Sequence, residues 1–154
     1  MITIWIDADS CPTLVREYVL SFAEKNNFSV NFVANKNVSS DKKNYKMIIC
    51  EKTKNSADDY IVSNAKKTDL VITRDVLLAE RLVKKEIFTI NDRGTFFSAE
   101  NIKEKVEDRN YDFNLAQLGF SGSKTKSYGE KEFKKFVNCF EKIIKKILVN
   151  FYSS

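Results

Sequence analysis

Short apolar runs alternate along most of the chain with longer stretches whose apolar residues recur at helical spacing. Ile2-Thr3-Ile4-Trp5-Ile6 leads straight into Asp7 and predicts a buried-type strand over residues 2–7. Pro12 suits the first turn of a helix, with Ser10 available as its cap, and Leu14, Val15, Tyr18, Val19 and Phe22 carry that helix to about Lys25. Phe28 to Val33 alternate as a second strand, and Met47 to Cys50 form a short third. Ser56 opens a helix with Asp59 three residues later, as in a capping box, and Ile61, Val62 and Ala65 form its apolar side. Asp69-Leu70-Val71-Ile72-Thr73 is the clearest buried strand, and a helix follows through Leu77, Leu78, Leu82 and Val83. Ile87 to Ile90 is a fifth strand. Residues 99–106 and 111–118 predict two short helices, and Gly119, Gly122 and the serines and lysines near 121–127 a mobile connection. From Glu130, Phe133, Phe136, Val137, Phe140, Ile143, Ile144, Ile147 and Leu148 lie on one stripe of a long amphipathic helix.

Strands alternating with helices imply parallel βαβ units with right-handed crossovers. The expected architecture is α/β: a single doubly wound, mostly parallel sheet flanked by helices. Its core would span residues 1–119, a flexible connection 120–128, and a basic amphipathic helix over 129–154 would pack on the core. A chain of 154 residues, 43% hydrophobic and 31% charged, has room for one such core.

Composition narrows the chemistry. There is no histidine, which excludes imidazole-based acid–base catalysis, histidine relays and histidine-ligated zinc. Cys11, Cys50 and Cys139 include no CxxC pair, so neither a disulfide framework nor a structural zinc site is expected, and a reducing cytoplasm is the natural compartment. No apolar run approaches a membrane span, and no basic lead-in marks a signal peptide. A membrane partner is therefore not expected, nor is a nucleotide cofactor; a monomer and a homodimer both stay open. Charge is uneven. Residues 1–119 carry 18 basic and 18 acidic side chains, whereas 120–154 carry eight lysines against Glu130, Glu132 and Glu141. The whole excess of +5 thus sits in the C-terminal segment, which is either a solvated helix face or an attractor for a polyanion.

In a doubly wound sheet, function gathers beyond the carboxyl ends of the strands, where strand order reverses. Asp7 and Asp9 follow the first strand, Asp75 the fourth and Asp92 the fifth, while Asp58 and Asp59 open a helix. Each has a local alternative. Asp58 and Asp59 favour a helix N-terminus, Asp75 would serve as an N-cap, and Asp92 as a turn residue. Asp7 has no such local duty. Carboxylates gathered in one cleft are costly unless protons or a cation neutralise them, and their hard oxygens suit Mg²⁺ or Mn²⁺.

The phrases Trp5-Ile6-Asp7-Ala8-Asp9-Ser10-Cys11-Pro12, Val33-Ala34-Asn35, Ala57-Asp58-Asp59, Ile72-Thr73-Arg74-Asp75 and Asn91-Asp92-Arg93-Gly94 resemble, in order, the uncharacterised bacterial YaiI/YqxD (UPF0178, DUF188) family. That family is grouped with PIN-like domains, whose nucleases set an Asp at the end of the first strand, an Asp at the start of a D-x-x-I-x-x-x-A helix, and Thr-x-Asp after the fourth strand. The resemblance implies a PIN-like fold and a phosphodiesterase acting on RNA or DNA. Asp7, Asp58 and Asp75 would be catalytic, and Asp9, Asp59 and Asp92 would join them around Mg²⁺ or Mn²⁺. A further acid that many PIN nucleases carry on an early-to-middle helix has no evident counterpart; Asp9 and Asp92 are the available substitutes. Asn35, Thr73, Arg74 and Arg93 would meet the substrate, the arginines by holding phosphate oxygens, unless they serve as salt-bridge partners of the same aspartates.

Two other classes compete. Asp7-Ala8-Asp9-Ser10 also resembles the opening of haloacid-dehalogenase-type phosphomonoesterases, but the acidic pair Asp58-Asp59 precedes Thr73, which is the wrong order. The third class is a non-catalytic nucleic-acid or protein-binding module that keeps a vestigial acidic pocket.

Overall fold

The computed structural model describes residues 2–53, 55–120 and 127–153. Strands β1 (Thr3–Asp7), β2 (Ser29–Ala34), β3 (Lys46–Ile49), β4 (Leu70–Ile72), β5 (Phe88–Ile90) and β6 (Phe96–Phe97) alternate with helices α1 (Thr13–Asn26), α2 (Ser56–Asn64), α3 (Val76–Lys84), α4 (Ile102–Gln117) and α5 (Glu130–Ser153). They form one six-stranded sheet in the order β3-β2-β1-β4-β5-β6, parallel except for the antiparallel β5–β6 pair. The α/β architecture expected from the alternation is the one observed. The chain builds outward from β1 to β3, returns to the other side of β1 with β4, and builds outward again. Strand order therefore reverses between β1 and β4.

Side chains alternate across each strand, so the two faces of the sheet gather separate clusters. On one face Ile4, Ile6, Phe32, Leu70 and Ile72 pack under α1 and α5; on the other Trp5, Val33 and Val71 pack under α2 and α3. Helix α5 is part of that first cluster, for Phe136, Phe140, Ile143, Ile144 and Ile147 are all buried in it. The Phe140 ring lies 5.0 Å from Phe22 and 5.6 Å from Tyr18, edge-on to both, an arrangement aromatic quadrupoles favour. Asp69 fastens the opposite end of the β1–β4 seam. Buried to 3% exposure, it accepts hydrogen bonds from Thr3 N, Trp5 Nε1 and Lys66 N, so its charge is fully bonded rather than reactive.

Several local expectations need correcting. The two helices expected at 99–106 and 111–118 are one, α4, which begins at Ile102 and runs unbroken to Gln117. The polar stretch Glu107-Asp108-Arg109-Asn110 looks like a break, yet it holds no proline or glycine and a solvent-facing helix tolerates it. No residue of α4 is buried, so apolar periodicity offered no guide to its length. Ser10 does not cap α1, which starts after Pro12 with no side-chain cap. The Ser56–Asp59 capping box does not form either: Asn55 holds the cap position in the left-handed region at φ 71°, and Ser56 Oγ donates to the Glu51 carbonyl. Strand β6, two residues long, is too short to show a period. The expected mobile connection lies mostly at 121–126, outside the described residues.

Because α5 supplies fully buried core aromatics, Phe140→Ala should cost about 3–5 kcal/mol in urea unfolding, as truncation of a buried phenylalanine generally does. A loss below about 1 kcal/mol would mean that α5 only rests on the sheet.

Candidate functional site

The β1–β4 register puts Ile6 opposite Ile72, so the next residues along, Asp7 and Thr73, emerge side by side at the carboxyl edge. Thr73 Oγ1 donates to Asp7 Oδ2 at 2.8 Å and accepts from Asp75 N at 3.0 Å. Asp75 in turn caps α3, its Oδ1 accepting from Leu77 N at 2.9 Å and Leu78 N at 3.2 Å. One threonine hydroxyl thus links the two aspartates' segments, and the cap holds the Asp75 side chain in place. The first turn of α2 brings Asp58 to the same edge. Asp7, Asp9, Asn35, Asp58, Arg74 and Asp75 line a cleft of about 470 Å³, together with Ser10, Thr53, Asn55, Ser56 and Ala57.

The acids in this cleft strain against one another. Burial raises the Asp7 carboxyl above its ordinary range; the Thr73 hydroxyl offsets part of that, and repulsion from Asp75 and Asp9 adds to it. Asp58 is pushed up to about 7, first by burial, then by repulsion from Asp75 and Asp7, with hydrogen bonding to Asp75 also favouring the protonated form. Arg81 opposes this, yet its guanidinium is bonded at 2.8 Å to Asp59 instead. Among the described residues, Asp7, Asp58 and Asp75 therefore face one another with no arginine or lysine in an ion pair with any of them. Asp9 is held by a different donor, accepting from Asn35 N at 2.8 Å, while Asn35 Oδ1 is buried in the cleft wall without a hydrogen-bond partner.

The remaining predicted residues stand elsewhere. Asp59 points away from the cleft to its exposed pair with Arg81. Asp92, only 2% exposed, is gripped by Arg74 through Nε at 2.7 Å and Nη2 at 2.6 Å, both to Oδ2. Arg74 thus lines the cleft as the partner of a buried carboxylate. Arg93 lies against the Tyr128 ring, 5.7 Å from its centroid, and borders a different cavity. Behind the cleft, Cys11 is packed near Arg16, Asp92 and Arg74; burial pushes its thiol up to about 12, which makes it a packing group rather than a nucleophile. Thr53 and Asn55 join the cleft without having been expected there, and Ser56, expected only as a helix cap, lines it too; their place just ahead of Asp58 is the signal that points to them. Tyr128, whose hydroxyl donates to the Asp92 carbonyl at 2.7 Å, had no local signal at all.

Among the described residues, no group of three or more Asp, Glu or Cys side chains stands close enough together to hold a metal ion. What the cleft does hold is a row of oxygens: Asp58 and Asp75, Asp7 with its raised affinity for protons, Asp9, and the orphaned Asn35 carbonyl. That donor set is all hard oxygen and fits Mg²⁺ or Mn²⁺.

An α/β sheet with an acidic cleft at its point of strand reversal is the class of protein these features define. A family model described as an uncharacterised BCR of the YaiI/YqxD family (DUF188) matches residues 5–146, and the chain belongs to that family. Similar proteins include a UPF0178 protein of Treponema denticola, 40% identical over 145 residues, covering 94% of this chain and 93% of that one. UPF0178 proteins of Pseudomonas paraeruginosa and of Pseudomonas fluorescens SBW25 are each 36% identical, over 94% of this chain and 91% and 97% of theirs. No solved structure matches the chain. No helix among the described residues is long and apolar enough to cross a membrane.

The raised Asp58 carboxyl has a consequence for stability. Its folded pKa, about 7, lies above the ordinary 3.8, so the folded state binds the proton more tightly than the unfolded chain does. Its contribution is favourable at low pH and is lost as pH rises through about 7. In EDTA, thermal unfolding of the wild type should show the melting midpoint falling between about pH 4 and pH 7 relative to Asp58→Asn, in which this dependence is absent. Parallel pH profiles for the two proteins would show that the carboxyls are not coupled.

Proposed function

We propose that the acidic cleft binds Mg²⁺ or Mn²⁺ and hydrolyses phosphodiester bonds of RNA or DNA. The observation that carries this reading is the convergence of Asp7, Asp58 and Asp75, delivered by β1, α2 and the start of α3, with no basic side chain among the described residues bonded to any of them. The resemblance of the same three positions to the PIN-like pattern of acids agrees with it.

Asp7, Asp58 and Asp75 would hold the cation, with Asp9 and the Asn35 side-chain oxygen at the rim. Such an ion, when bound, acidifies a water and neutralises charge building on the scissile phosphate. The chain's own residues prepare that site. Thr73 fixes the Asp7 carboxylate, the α3 cap fixes Asp75, and Asp58, still protonated near neutrality, would release its proton when a cation enters. Arg74 neutralises buried Asp92 at the cleft edge and keeps its exposed side toward an incoming phosphate.

Labelled single-stranded RNA and DNA, incubated with Mn²⁺ or EDTA, should be cleaved only with the metal. Asp7→Asn and Asp75→Asn should each lower the rate on the order of 10²–10³-fold; asparagine retains the α3 cap, so the loss would report charge rather than fold. Turnover of para-nitrophenyl phosphate in place of the polynucleotides would favour a phosphomonoesterase. Metal uptake with no hydrolysis of either substrate would favour a binding module.

A further inference from the structure

A second cavity, of about 680 Å³, lies between the β5–β6 turn and the outer face of α5. Its wall carries Arg93, Lys135, Lys142, Lys145 and Lys146, and its floor is apolar, built from Phe96, Cys139 and Ile143. Lys135, Lys142 and Lys146 recur on one face of α5 and span about 16 Å at 1.5 Å per residue. Among the described residues no carboxylate comes within 4.0 Å of these four lysines; the ion pairs form elsewhere. Glu141, the lone acid in this stretch, interacts with Tyr18 instead. The geometry is held firmly. At Gly94, where φ is +87°, a Cβ would come 2.5 Å from the Lys135 carbonyl, so the turn sits directly on the helix backbone. The Lys146 ammonium lies 5.6 Å above the Phe96 ring.

We propose that this basic groove binds single-stranded nucleic acid and delivers it to the acidic cleft. Unpaired cations lining one side of a helix attract a phosphate backbone without reading its sequence. An apolar floor between them selects the single strand, because unstacked bases can pack on it, whereas a duplex keeps its bases inside and offers only phosphate and sugar. The path onward is marked by charge. Arg93 adjoins Asp92, Asp92 is bonded to Arg74, and Arg74 lines the acidic cleft. The purpose of the groove rests on the phosphodiesterase reading; the binding itself does not.

Fluorescence anisotropy tests it in EDTA, where hydrolysis is off, with labelled oligouridylate, oligothymidylate and a matched duplex. The wild type should bind the single strands more tightly than the duplex. Lys135→Ala/Lys142→Ala/Lys145→Ala, all exposed positions, should weaken that binding roughly tenfold or more and make the slope of log affinity against log salt shallower by about 2, from about 0.7 per neutralised phosphate. Lys103→Ala, an exposed change on α4 outside both the groove and the cleft, should bind as well as the wild type, and circular dichroism should show every variant folded. The groove is refuted if single strands fail to bind, if the triple variant binds within about twofold of the wild type, or if the duplex is preferred. Binding without Mn²⁺-dependent cleavage strikes only the hydrolytic reading; cleavage and binding untouched by the lysine changes strike only the groove.

Discussion

Carboxylates set side by side in half-buried surroundings cannot all remain ionised unless positive charge is brought to them. At the carboxyl edge of this sheet Asp7, Asp58 and Asp75 meet that condition, and burial together with the neighbouring carboxylates pushes the Asp58 carboxyl up to about 7. The neighbouring acids show what neutralisation looks like elsewhere in the chain. Asp59 has Arg81, Asp92 has Arg74, and Asp69 has three N–H donors. The contrast sets the cleft apart from the merely acidic surface around it.

The fold imposes that arrangement through strand register and helix starts. Parallel pairing of β1 with β4 fixes Asp7 beside Thr73, and α3 begins at once behind Asp75. Both faces of the same strands are buried, under α1 and α5 on one side and α2 and α3 on the other, so a slip in register would carry side chains from one packed cluster into the other along the whole seam. The energy that holds the acids together thus comes from apolar burial elsewhere. Helix α5 contributes to both ends of this account, with phenylalanines and isoleucines in the core and lysines on its outer face.

Much of this could be read from the residues alone, because buried parallel strands write continuous apolar runs and their ends are easy to find. Ile2 to Ile6 ending on Asp7, and Leu70 to Ile72 followed by Thr73-Arg74-Asp75, place the central acids without help. Partnership across space was another matter. That Arg74 belongs to Asp92 and Arg81 to Asp59 depends on how β4, β5, α2 and α3 pack, and no local pattern encodes it. The same holds for Tyr128, whose bond to the Asp92 carbonyl spans 36 residues. Helix α4 was legible only as two separate pieces, for the opposite reason: with no buried side, it has no apolar rhythm to carry the reading across 107–110.

The proposed function stands on uptake of a cation by Asp7, Asp58 and Asp75. Titration of the protein with Mn²⁺, followed by the loss of the free-ion electron paramagnetic resonance signal, measures this directly. Saturable uptake by the wild type that disappears in Asp7→Asn/Asp58→Asn/Asp75→Asn is the predicted result. Uptake of equal strength in both proteins, or none in the wild type, would contradict it.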